Sequence, residues 1–202
     1  MPENDKREKI IAAAYQLLAE KGYDQASTKE IARAAGVAQG LINYYFPSKD
    51  LLFAEVFKNE TIKYCESMPQ LQSYAQKELS LQSIKEMLNV PKTRAINEPS
   101  MLKLRYELFA IGLRNPAVSE NLKDALAWKR DHVKKLIESI LHLPEEQSRP
   151  LAAILRAAFD GLGLQKLSDP DFDYDEAYDT LALIIESYLE KLRKSSGEIN
   201  QR

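Results

Sequence analysis

Cysteine occurs once in the 202 residues, at Cys65, so the chain can form neither an internal disulfide nor a cysteine-based metal site. Histidine occurs twice, at His132 and His142. With two histidines and one cysteine, nothing in the sequence resembles a metal cluster, a nucleophile elbow or a phosphate-binding glycine loop. The chain is therefore expected not to be an enzyme and to need no metal or cofactor. Glycine is scarce, at seven residues, and β-branched runs are missing, which disfavours strands. No apolar run approaches the roughly 20 residues that span a bilayer. The charged opening from Met1 to Lys9 lacks the apolar stretch of a secretory leader. These absences point to a cytoplasmic protein with no membrane partner.

What remains is ordinary globular composition: 45% hydrophobic and 29% charged, too apolar for disorder. The net charge of −2 at first argues against a nucleic-acid partner. Charge acts locally, however. Between Ser27 and Lys49 three bases (Lys29, Arg33, Lys49) stand against one acid (Glu30), giving +2 and leaving −4 for the rest.

Apolar residues recur at intervals of three and four, never two, and predict an all-α fold. The first helix is expected from about residue 6 to 21, with Ile10, Ala14, Leu17 and Leu18 on one face and Gly22 as a left-handed cap. Ser27 and Glu30, three apart, form a capping-box pattern that opens a short second helix ending at Gly36. A third covers about 39–45. A fourth opens after Pro47, with Ser48 as N-cap and Asp50 favouring the positive end of the dipole, and continues to about 66. Longer helices are predicted at about 70–89, 100–113, 117–141, 146–167 and 174–194, the last capped by Asp173, and a polar tail from Ser195 to Arg202 is expected to fray.

Helices two and three, joined by Ala35-Gly36-Val37, form a compact two-helix unit. Val37 can plug the turn while Ile42 and Phe46 anchor helix three. Gln39, Gly40, Asn43, Tyr44 and Tyr45 are then left facing outward. Amides can pair with adenine edges and tyrosine hydroxyls can reach phosphates, although Tyr44 and Tyr45 could also serve as core aromatics.

The run Ser27-Thr28-Lys29-Glu30-Ile31-Ala32-Arg33-Ala34-Ala35-Gly36-Val37, followed by Gly40-Leu41-Ile42-Asn43-Tyr44-Tyr45-Phe46-Pro47-Ser48-Lys49-Asp50-Leu51-Leu52, resembles the signature of the tetracycline-repressor (TetR) family. The resemblance covers about the first sixty residues. It implies a DNA-binding transcriptional regulator, a ligand-responsive repressor that reads a palindromic operator in double-stranded DNA as a homodimer. It further implies that Thr28 and Lys49 hold phosphates, that Lys29 lies beside them, and that positions 39, 40, 43, 44 and 45 enter the major groove. Lys6 and Arg7 would touch the flanking backbone. Two departures stand out: Ala38 occupies the place of a hydroxyl cap, and Asn43 and Tyr45 replace the family's usual Tyr and His, which alters base preference.

The resemblance divides the chain into a helix-turn-helix domain (1–47), a connecting helix (about 48–66) and a ligand-binding and dimerisation domain (67–202). Leu155, Phe159 and Leu162 on one C-terminal helix, and Leu181, Ile185 and Leu189 on the other, carry more apolar surface than one subunit needs. The resemblance places such helices in an intersubunit bundle. Met68, Tyr74, Met87, Met101, Tyr106, Phe109, Trp128 and His132 suit a pliable pocket for an unknown small-molecule effector, and at helical spacing suit a core equally. Two other classes compete, an enzyme and a helical adaptor that binds only protein. Sequence-specific, salt-sensitive DNA binding separates a regulator from both.

Overall fold

The computed structural model describes residues 3–66, 69–76 and 79–199. Met68 and the side chain of Cys65 lie outside the described residues. Every regular element among those described is helical: α1 (Glu3–Gln25), α2 (Thr28–Ala35), α3 (Gln39–Tyr45), α4 (Lys49–Glu66), a 3₁₀ segment (Pro69–Gln76), α5 (Leu81–Asn97), α6 (Pro99–Arg114), α7 (Pro116–Leu141), α8 (Glu145–Ser168) and α9 (Tyr174–Ile199). None of the described helices is long and apolar enough to cross a membrane.

The described residues pack into two units. The first holds α1–α4, α6 and residues 116–132 of α7; the second holds the 3₁₀ segment, α5, residues 133–141 of α7, α8 and α9. The first unit closes around Ile10, Ala14 and Leu18 of α1, Ile31 of α2, Ile42 of α3 and its C-cap Phe46, Leu52, Phe53 and Val56 of α4, Leu108 of α6 and Val118 of α7. The second closes around Ile84 and Leu88 of α5, Ile137 of α7, Leu151 and Leu155 of α8, and Tyr178, Leu181, Ile185 and Leu189 of α9.

Local chemistry explains most boundaries. Ser27 Oγ accepts from the Glu30 N–H at 3.2 Å while the Glu30 carboxylate accepts from the Ser27 N–H at 3.2 Å, so α2 starts with two orphan donors satisfied. Gly36, at φ 66°, ends it in the left-handed region that glycine adopts without strain. Ser48 Oγ caps α4 through the Leu51 N–H at 3.1 Å, and Asp173 caps α9 through the Glu176 N–H at 2.8 Å.

Three boundaries differ from expectation. Gly22 takes φ 78° and ψ 175°, a positive φ that suits glycine but not the left-handed cap expected, and the chain re-enters helix at once and runs to Gln25. The helix expected over 70–89 is instead a 3₁₀ segment followed by α5, which continues through Pro91 to Asn97. A proline inside a helix costs about 3 kcal/mol. Packing of Ile84 and Leu88 against α9 and α8 outweighs that cost. Helix α9 also extends to Ile199, past the expected start of the frayed tail.

Candidate nucleic-acid interface

Helix α3 is seven residues long and its N-cap, Ala38, makes no side-chain bond. Isolated helices of this length do not hold in water. Its stability comes from two anchors, Ile42 (1% exposed) and Phe46 (5%), sunk into the core of the first unit. Those anchors fix the opposite face outward. Gln39, Gly40, Asn43 and Tyr44 are exposed, Tyr44 at 70%, and they form one polar strip on the first unit. Tyr45 differs from expectation: it is half-buried and packs on the core, its ring 6.4 Å from Phe46 and 5.2 Å from Tyr44. Tyr45 follows Ile42 by three positions and adjoins the buried Phe46, which places it on the flank of the anchored face.

Thr28, the first residue of α2, is half-buried, and Lys29 beside it is exposed. Lys21 reaches from α1 to Glu30 at 2.7 Å, which with Ser27 holds the Glu30 carboxylate down at about 2 and ties α2 to α1.

Lys49 does not stand free beside its helix start. Its ammonium donates to the carbonyl of Tyr23, lies 3.4 Å from that of Asp24, and sits 4.2 Å from the centroid of the Tyr23 ring. Arg7, expected on the DNA backbone, pairs with Glu55 of α4 at 3.0 Å and lies over the Phe46 ring at 5.3 Å. Both cations hold the head together.

Sequence reasoning missed the cluster these contacts belong to. The break at Gly22 releases the N–H and C=O of Tyr23 from the helical ladder, and half-buried backbone groups need partners. Glu107 of α6 accepts the Tyr23 N–H at 3.2 Å, and Lys49 donates to its carbonyl. The Tyr23 hydroxyl donates to one oxygen of Asp50, while the side-chain amide of Asn115 donates to the other. Burial, reinforced by Asp50, pushes the Tyr23 phenol well above its usual range. Burial likewise raises the Glu107 carboxyl, opposed in part by the Tyr23 N–H. The one signal in the sequence was the pair Asn115-Pro116, which marks a turn into a helix.

The candidate pocket residues fall into separate groups. Tyr74 and Met87 belong to the second unit, where the Tyr74 hydroxyl donates to Glu86 at 3.0 Å and Met87 packs on the core. Met101, Tyr106, Phe109, Trp128 and His132 belong to the first. Tyr106 and Phe109 meet edge to face at 5.9 Å, and Trp128 stacks on His132 at 5.5 Å.

The residues expected at a subunit interface lie mainly in the second unit's own core. Leu155, Leu181, Ile185 and Leu189 are buried there, and Phe159 and Leu162 are half-buried against it, with Phe159 stacked on Tyr178 at 6.1 Å. Among the described residues, the large apolar side chains that α8 and α9 leave in solvent are Ile154 (63%), Leu164 (48%), Leu183 (49%) and Ile184 (60%).

A capped helix, a glycine turn and a second helix with an outward polar strip define a helix-turn-helix head in an all-helical protein. Residues 10–56 match the family model described as bacterial regulatory proteins, tetR family. That segment, 47 of the 202 residues, resembles the N-terminal domain of the tetR family. The chain is 44% identical over 54 residues to YvdT of Bacillus subtilis (strain 168), described as an HTH-type transcriptional regulator, taking in 27% of this chain and 28% of that protein. The first relatives are thus matched over less than a third of their length. The HTH-type regulator BetI of Vibrio vulnificus (strain YJ016) aligns over 92% of this chain and 91% of its own length at 23% identity. The crystal structure of the multidrug binding protein EbrR complexed with ethidium superposes with a TM-score of 0.71 at 24% identity, covering 89% of this chain and 96% of that one, and shares its fold.

Proposed function

We propose that the protein is a sequence-specific transcriptional regulator that binds a palindromic operator as a homodimer and releases it in response to a small molecule. The observation that carries this reading is the polar strip of α3. Gln39, Gly40, Asn43 and Tyr44 are held outward by two buried anchors and contribute little to the core, which is the arrangement a major-groove reader needs. Residues 1–47 are the reading domain in this view, with residues 67–202 serving effector binding and dimerisation. Thr28 and Lys29 lie where a phosphate would fix its register.

Pairing uses the outer faces of α8 and α9. Ile154, Leu164, Leu183 and Ile184 form the apolar surface, and Gly161, between the first two, leaves open space for a close approach. The effector site is built from Met101, Tyr106, Phe109, Trp128 and His132 of the first unit. Its aromatic character suits a flat apolar molecule or an organic cation, the class to which ethidium, bound by EbrR, belongs.

Selection from a random duplex pool, with the bound sequences read out, tests the proposal. A palindrome with two half-sites is expected. Gln39→Ala and Asn43→Ala should each relax preference at particular base pairs, by about 1–3 kcal/mol where a bidentate contact is lost. Uniform loss of affinity with unchanged preference would remove α3 from the reading role.

A further inference from the structure

Asn115 sits at the corner where α6 ends and α7 begins, and three of its groups are already engaged. Its N–H closes α6 on the carbonyl of Ile111 at 2.7 Å, and its own carbonyl accepts from Val118 at 3.0 Å and Ser119 at 3.1 Å. Its side-chain Oδ1 accepts from the Ala117 N–H at 3.0 Å. With Oδ1 fixed, the position of Nδ2 is set, and from there it donates to Asp50. Asp50 is the second residue of α4, only five positions after the last residue of α3. The corner itself cannot easily flex. A Cβ placed on Gly112 of α6 would lie 2.7 Å from the Cβ of Leu122 on α7, so the two helices touch at backbone range just before the turn. A second hold lies two turns back along α6, where Glu107 grips the Tyr23 N–H.

We propose that Asn115 and Asp50, with Tyr23, form a polar latch that fixes the reading helix against the α6–α7 corner and thereby sets which half-site spacing the protein accepts. The inference rests on the reading of the protein as a palindrome-binding homodimer. The three groups act through position and touch no base. Their hydrogen bonds are directional, whereas the apolar packing around them tolerates small rotations. A head released from the corner keeps its fold and its base contacts, since Ile42 and Phe46 still seat α3. It loses only the fixed orientation that makes one spacing better than its neighbours.

The test exchanges donor and acceptor. In Asn115→Asp the Ala117 cap survives, but two carboxylates face each other. In Asp50→Asn the charge is lost. In the double variant Asp50→Asn/Asn115→Asp an amide at position 50 donates to a carboxylate at position 115, restoring the bond in reverse. The palindrome selected from a random duplex pool is rebuilt with its half-sites one and two base pairs closer and farther, and affinity is measured on each. Wild type is expected to favour one spacing. Each single variant should narrow that preference about tenfold, as the loss of one charge-assisted bond allows, with half-site base preference unchanged. The double variant should recover it. Tyr23→Phe, which removes only the hydroxyl and keeps the ring against Phe53, should narrow it as well and serves if either exchange fails to fold. Single variants that keep the wild-type preference, or a double variant that recovers nothing, overturn the latch. A wild type that selects a palindrome but accepts every spacing overturns it too. A wild type that selects no duplex at all sinks the functional reading itself, and the latch falls with it.

Discussion

Replacing Gly112 by alanine sets two opposing effects against each other at one place. Alanine inside a helix is worth about 1 kcal/mol more than glycine, because the chain loses less freedom on folding. Against this stands the contact with α7. The new Cβ would lie 2.7 Å from both Cβ and Cδ2 of Leu122 and 3.2 Å from its Cγ. Rotating the Leu122 side chain relieves Cδ2 and Cγ, but its Cβ moves only with the backbone, and Leu122 is itself buried at 6% exposure. The helices must therefore separate by several tenths of an ångström, and overpacking of this kind costs about 1–3 kcal/mol. Because the closest atom is fixed to backbone, the upper half of that range applies, and the net loss should be about 1–2 kcal/mol. Gly40→Ala is the matched control: it too lies in a helix, but nothing stands within 4 Å of its added Cβ, so the propensity gain is unopposed. Urea unfolding followed by far-ultraviolet circular dichroism reads both. Gly112→Ala should unfold at lower urea than wild type and Gly40→Ala at the same or higher. A Gly112→Ala protein as stable as Gly40→Ala would show that the α6–α7 corner yields freely, and the rigidity argued for it would be wrong.

Neighbouring isoleucines of α9 should behave as opposites. Ile185→Arg buries a charge in the second unit's core and should cost several kcal/mol and the fold, whereas Ile184→Arg changes an exposed side chain and should leave a folded protein that sediments as a monomer; a fully dimeric Ile184→Arg would exclude this face from pairing. Glu30 gives a pH signature. Its carboxyl is held at about 2 by Lys21 and Ser27 against an ordinary 4.5, so its stabilising effect is complete above about 4.5 and is lost as pH falls toward 2. Glu30→Gln should accordingly unfold at lower urea than wild type at pH 7, and the gap should close as pH drops below 4.5; a gap that stays constant with pH would assign the effect to something other than charge.

The head was legible because its signals are local. A serine and a glutamate three apart, and a glycine after an apolar helix, each fix their backbone within a few residues, and Ser27, Glu30 and Gly36 do in space what their spacing implied. The partners of the cations were illegible for the opposite reason. Lys49 and Arg7 find partners 26 and 48 positions away, at the Tyr23 carbonyl and Glu55, and no short window contains both ends. Helix α5 was misplaced because Pro91 is a strong local stop overruled by tertiary packing. On α9 the period was read correctly, and the face bearing Leu181, Ile185 and Leu189 is buried in the unit's own core. Periodicity tells which residues share a face; it does not say whose core that face enters.

The way α3 is seated separates two demands that usually compete. Ile42 and Phe46 carry its anchoring, while Gln39, Gly40, Asn43 and Tyr44 stand clear of the core. A substitution at those four positions changes what the helix presents without changing what holds it. Variants at Gln39, Asn43 and Tyr44 can wander through many chemistries at near-constant stability, since surface changes away from packed features shift stability by only about ±0.5 kcal/mol. On the reading role proposed for α3, target preference is therefore free to drift, or to be re-engineered, without the compensating repairs that a buried recognition surface would demand.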